Sequence, residues 1–256
     1  IIYFAVLIGI GLYCRKHATD VNGFVLGGRS VGPWLTAFAY GTSYFSAVVF
    51  VGYAGQFGWK YGIAATWAGI GNAIIGSLLA WVVLGRRTRI MSQHLDSATM
   101  PQYFGKRFGS NPLKIGASVI IFIFLIPYTA SLYNGLSRLF GMAFNIDYSV
   151  CIIIMATLTA IYVIAGGYMA TAINDFIQGI IMLFGIVAVI AAVIHSKGGF
   201  MSALQGLANV SDPAVSDTPG IFASFFGPDP FNLLCVVILT SIGTWGLPQM
   251  VQKFYA

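Results

Sequence analysis

Helix-length apolar runs follow one another along this chain with almost no charge inside them, at 1–14 and at about 33–54, 63–84, 115–140, 149–166, 172–195 and 229–250. About 20 such residues cross a bilayer core as a helix. In hydrocarbon the backbone must satisfy its own hydrogen bonds, so spanning segments are helices or closed barrels. None of the runs shows the roughly ten-residue polar/apolar alternation of a barrel strand. The chain is expected to be an all-α integral membrane protein. Its charged fraction of 8%, against roughly 25% in soluble domains, supports this. All seven acids are Asp, which leaves little for ion pairs along solvated helix faces. Nearly every charge must therefore lie in a loop or in a site.

The charge asymmetry sets an orientation. Of 13 basic residues, Arg15, Lys16, Arg29, Arg86, Arg87, Arg89, Lys106, Arg107, Lys114 and Lys253 fall in one set of connections, and Lys60, Arg138 and Lys197 in the other. Positive residues favour the cytoplasmic side, so the first set is assigned there and the 196–228 loop is external. The net charge of +6 thus reads as topology, and a nucleic-acid partner is excluded for want of a basic patch. Cys14, Cys151 and Cys235 are scattered and read as packing thiols. The three histidines form no metal-ligand pattern. The 1–14 run is short of a full span and reads as the tail of a truncated helix. It lacks the basic start and small-residue site of a signal peptide.

Polar residues cluster where they are most expensive, in GTSYFSA at 41–47. A helix here presents a narrow stripe of small and polar groups, with Thr42 above Ser46 and Ser43 above Ala47. Two readings remain. Small residues line close helix contacts, or an unwound segment offers carbonyls and hydroxyls to an ion or solute, which is tolerated only inside protein or at a cavity. A second interruption bears on the choice. Gly243, Gly246 and Pro248 interrupt the last span, and Pro248 cannot donate to the Thr244 carbonyl. Paired interruptions in corresponding spans mark the binding site of inverted-repeat transporters. Breaks are expected near Gly41–Tyr44 and Gly243–Gly246, facing each other.

Asp175 lies just inside the 172–195 span, with Asn174 and Gln178 close by. It is either a helix-start carboxylate favoured by the dipole or an intramembrane acid serving a site. Tyr128, Ser131 and Gly135 form a row beside Thr129 and Asn134, which helix packing and solute lining explain equally well. The GGYMAT connection, Gly166 to Thr171, is short enough for two helices to meet tightly.

Four stretches, FVLGGRSVGPWLTAFAYGTSYFSA (24–47), TMPQYFGKRF (99–108), IAGGYMATAINDFIQG (164–179) and WGLPQMVQKFYA (245–256), resemble the sodium:solute symporter family over the whole chain. The resemblance implies a leucine-transporter-type inverted-repeat fold truncated after the first helix of its second repeat. Residues 1–14 would be a partial leading helix, 33–195 the first five-helix repeat and 229–256 the start of the second, all in one transmembrane domain of the cell membrane. It also implies a sodium site that takes the Thr42 and Phe45 carbonyls and Ser46, with Asp175 matching an acid of a further sodium site. The solute pocket is expected from Ser43, Tyr44, Ala47, Thr66, Tyr128, Thr129, Thr244 and Trp245, with Thr66 matching a substrate-side position of the family. Proline symporters carry an Asp where this chain has Tyr44, and a Trp and a Tyr where it has Thr240 and Thr244. The resemblance therefore points away from proline and toward pantothenate-type and other carboxylate carriers.

The expected function is sodium-coupled import of a small organic solute, a carboxylate or amino-acid-like compound, by alternating access. A proton-coupled carrier is the alternative, because Asp175 could take a proton. A channel or receptor ranks lower. An enzyme is excluded by the lack of a nucleophile–base or metal constellation.

Overall fold

A computed structural model describes residues 2–17, 19–45 and 53–256. Helices α1 (Ile2–Cys14), α2 (Val21–Leu26) and α3 (Pro33–Tyr44) come first. The long helices α4 (Ala54–His94), α6 (Asn111–Phe144) and α7 (Tyr148–Ser196) are each long and apolar enough to cross a membrane, with α5 (Met100–Phe108) between α4 and α6. After α8 (Phe200–Ala208) come the helices α9 (Pro230–Gly243) and α10 (Pro248–Tyr255), separated by a short break and together long and apolar enough for a broken span or a re-entrant loop. Among the described residues the only β-pairing is one isolated bridge, Asp212 to Ser216. The chain is a multi-pass helical membrane protein.

Polar residues at the helix ends explain where the elements start. Asp20 caps α2 by accepting the Gly23 N–H at 3.0 Å. Thr99 accepts the Gln102 N–H at 3.4 Å while the Gln102 amide oxygen takes the Ala98 N–H at 3.0 Å, a reciprocal cap before Pro101. Ser110 caps α6 and Asp229 caps α9, each followed by a proline in the first turn, where its missing N–H removes no helical bond. The Asp147 carboxylate takes the Ser149 N–H at 2.8 Å as α7 begins.

Helix α7 has 49 residues, about 70 Å at 1.5 Å per residue, more than twice the ~30 Å bilayer core. It is two helices meeting at Gly167, whose φ of 56° and ψ of −148° lie in a region essentially restricted to glycine. The GGYMAT connection therefore interrupts the helix as its sequence implied.

The chain forms two compact units, Ile1–Val48 with Trp81–Gly179 and Leu247–Ala256, and Val49–Ala80 with Ile180–Gly246. In the first, Leu26, Val31, Ala39, Ala98, Tyr168, Ala172, Val251 and Tyr255 form a buried core. Tyr40, Trp81 and Phe254 form an aromatic triad with centroids 4.8–6.0 Å apart. Arg29 fastens this unit together. Its guanidinium donates to Ser92 Oγ, to the Ser92 and Ser97 carbonyls and to the Tyr255 carbonyl, at 2.8–3.4 Å. Burial pulls its pKa below the ordinary value, against the opposing pull of Asp96. These segments all carry or adjoin the charges assigned to the cytoplasmic side, so one side chain ties that face together. In the second unit Tyr61, Ala64 and Ala68 of α4 pack on Leu233 and Val237 of α9.

Gly167→Ala tests the break in α7. A Cβ there would lie 2.8 Å from the Phe24 carbonyl oxygen at positive φ, so the full-length protein in detergent should lose about 1–3 kcal/mol of stability. Gly185→Ala, where a Cβ meets nothing within 4 Å, should change the thermal midpoint hardly at all.

Candidate functional site

The last turn of α3 carries Thr42, Ser43 and Tyr44. Expected to be unwound, this turn is instead helical. Thr42 Oγ1 donates to the Phe38 carbonyl at 2.8 Å and Ser43 Oγ to the Ala39 carbonyl at 2.7 Å, and the Phe45 N–H reaches the Gly41 carbonyl at 2.9 Å. Such back-bonding keeps the hydroxyls within the helix, and no proline lies in the turn to open it. Helical geometry ends one residue later, at Phe45 (φ −86°, ψ 68°). Ser46 and Ala47 lie outside the described residues.

The second break falls close to its expected place. Thr244–Gly246 tighten into a 3₁₀ turn, Leu247 is extended (ψ 127°), and Pro248 restarts the chain as the first residue of α10.

In the first unit, α3 and α7 approach closely at Gly179. A Cβ there would lie 2.5 Å from the Phe38 ring and 3.1 Å from the Thr42 methyl. The Phe38 and Phe176 rings meet edge to face at 4.8 Å. One turn earlier Asp175 faces the same way, and the Thr42 side chain lies beside its carboxylate. Two of the expected sodium-site residues, Thr42 and Asp175, are thus neighbours. Tyr44 packs against the Tyr40 and Phe45 rings.

The partner of Asp175 is Lys253 of α10. Its Nζ lies 3.6 Å from Asp175 Oδ2, with side chains 8% and 23% exposed respectively, so both groups are withdrawn from solvent. This is the one ion pair among the described residues. The ammonium also sits 4.8 Å from the centre of the Tyr168 ring. In sequence Lys253 reads as a loop charge; a lone cation shortly after a proline break in an apolar span is the signal that points to a buried role.

The second unit holds Thr66, Thr244 and Trp245. Trp245 Nε1 donates to the Ile75 carbonyl at 3.0 Å, within a stretch of α4 wound as a π-helix over Asn72–Leu79. Asn72 Nδ2 donates to Thr240 Oγ1 at 3.1 Å and to the Ala68 carbonyl at 2.7 Å. Thr66 Oγ1 and Thr244 Oγ1 each bond a carbonyl three residues back. Tyr128 and Thr129 lie on α6, Tyr128 half-buried and Thr129 exposed. A groove of about 570 Å³ between α1 and α7, lined by Leu12, Ile161 and Ile164 among others, contains none of the expected site residues. Arg15 and Thr157 are its polar lining residues, and the rest of the lining is apolar.

Fold and site together define a class, a polytopic helical membrane protein whose spans stop at polar or proline-marked breaks beside a buried ion pair. Residues 24–256 match the sodium:solute symporter family, and the chain belongs to it. The osmoregulated proline transporter OpuE of Bacillus subtilis is 31% identical across 100% of this chain and 50% of its own length. A sodium/proline symporter of Staphylococcus aureus is 37% identical across 99% of this chain and 48% of its own. The chain therefore spans about half the length of the curated relatives it matches. The family and these relatives are transporters, not enzymes.

The pair changes one expectation about folding. From sequence, Asp175→Asn should leave stability nearly untouched, but it would strand a buried ammonium. Breaking a buried pair typically costs about 3–5 kcal/mol. Thermal unfolding of the full-length protein in sodium-free buffer should show a loss of that order for Asp175→Asn and recovery of most of it in Asp175→Asn/Lys253→Met.

Proposed function

We propose that the protein is a sodium-coupled secondary symporter of the cell membrane that imports a small, proline-like amino acid by alternating access. The observation that carries this is the Asp175 carboxylate, withdrawn from solvent within a span and beside Thr42 at the end of α3. A carboxylate held there is costly unless it has a function, and its hard oxygens replace the hydration shell of a small cation well. The sodium ligands are the Thr42 and Phe45 carbonyls, Ser46 and Asp175. Ser43, Tyr44, Ala47, Thr66, Tyr128, Thr129, Thr244 and Trp245 line the solute pocket. The helices from 33 to 195 form the first of two inverted repeats, and 229–256 opens the second. The breaks at Phe45 and at Thr244–Leu247 occupy equivalent positions in the two.

Family membership and two relatives named for proline transport support this reading. They redirect the substrate from pantothenate-type carboxylates to proline-like solutes, despite Tyr44, Thr240 and Thr244. Proline is itself a small carboxylate, and those three positions then tune its fit. Sodium favours the state that binds solute better, and this difference in affinity is the coupling. One charge crossing 100 mV supplies about 2.3 kcal/mol, enough for roughly fifty-fold accumulation.

The full-length protein in liposomes should take up labelled proline saturably under an inward sodium gradient. The rate should exceed that under an equal potassium gradient at least tenfold, and other cyclic amino acids should compete. Uptake that follows an imposed proton gradient and ignores sodium would establish the proton-coupled alternative instead.

A further inference from the structure

Lys253 holds Asp175 loosely. A tight charge-assisted bond between an ammonium and a carboxylate runs at about 2.7–2.9 Å, whereas this pair is separated by 3.6 Å. The ammonium has a second holder in the Tyr168 ring, 4.8 Å away, and an aromatic face retains a cation when its carboxylate is otherwise engaged. Tyr168 and Asp175 are seven residues apart on α7, on one face of the helix, so the ammonium lies within reach of both.

Further polar groups around the pair are unsatisfied. The Tyr168 hydroxyl, both amide atoms of Asn174 and both amide atoms of Gln249 are buried without a hydrogen-bond partner among the described residues. Asn174 adjoins Asp175 in sequence, and Gln249 lies one turn before Lys253 on the same face of α10. Buried polar groups are nearly always partnered, so unpartnered ones next to an ion pair along the same helices are available to a second arrangement of it.

We propose that Lys253 is the intramolecular competitor of the transported cation, so that its ammonium and a sodium ion alternate as the counter-charge of Asp175. This rests on the sodium-coupled reading above. In one state the ammonium neutralises the carboxylate and ties α10 to α7. In the other, sodium takes the carboxylate, the ammonium retires over the Tyr168 ring, and that tie is released. The carboxylate is compensated in both states, as a buried charge must be. Cation occupancy thereby acts directly on the helix that follows the second break.

The test compares wild type, Lys253→Met and Lys253→Arg in the full-length protein. Two readouts are taken, the sodium concentration for half-maximal thermal stabilisation in detergent and that for half-maximal uptake in liposomes. Lys253→Met removes the competitor and should lower both about fivefold or more. Lys253→Arg keeps the charge, binds the carboxylate with a fork in place of a point charge, and should raise both. Unchanged values, or shifts in the same direction for both variants, would overturn the competition while leaving sodium coupling in place. A wild type indifferent to sodium in both readouts would instead overturn the parent reading. If Lys253→Met folds only in sodium, and not in potassium or choline, the proposal is supported. If it folds in none of them, the Arg variant decides, a raised midpoint supporting competition and an unchanged one refuting it.

Discussion

A peptide group left unpaired in hydrocarbon costs several kcal/mol, and the architecture of this protein follows from that constraint. Almost everything is helix because the helix pairs its own backbone. The places where the helix stops are consequently the informative ones. Gly167 stops it with a conformation that only glycine adopts readily. Leu247 and Pro248 stop it by the loss of an N–H donor. At Phe45 it stops without a proline, immediately after two hydroxyls that have bonded back to the preceding turn.

The same constraint governs the charges. Asp20, Asp147 and Asp229 cap helices and Asp212 holds a turn, roles that leave a carboxylate at the edge of its element. Asp175 alone is placed inside a spanning helix and paired with a cation. Arg29 and Lys253 do comparable structural work on the first unit. Arg29 ties the connections flanking α2 and α5 to the end of α10, Gln252 adds a bond to the Val25 carbonyl at 2.6 Å, and Lys253 ties α10 to α7. The short helix after the break is thus held by polar and charged ties as well as by the apolar packing of Val251 and Tyr255 in the core.

Much of this was legible in the sequence. Apolar runs of bilayer length locate the helices because hydrocarbon permits little else, and Pro248 locates the second break because a missing donor is a property of the residue itself. The state of Gly41–Tyr44 was not legible. Threonine and serine hydroxyls can either bond back along a helix or face a cavity, and the choice depends on neighbours that sequence spacing does not name. The ion pair was hidden for a related reason. Asp175 and Lys253 are far apart along the chain, and each taken alone has an ordinary explanation, a helix start in one case and a cytoplasmic loop charge in the other. Their pairing appears only when α10 is laid against α7. The aromatic ring beneath Lys253 has the same character, because Tyr168 reads in sequence as part of a connection.

These features place one carboxylate beside a resident cation on the helix that follows a break, and the proposed function adds a transported cation at the same group. Coupling between ion and solute is reciprocal by thermodynamic necessity, so its most direct measure is the ion flux itself. In liposomes containing the full-length protein, labelled sodium uptake should rise when external proline is added, and this stimulation should disappear in Asp175→Asn. Sodium flux that is indifferent to the solute in wild type, or equally stimulated when Asp175 has lost its charge, would contradict the account.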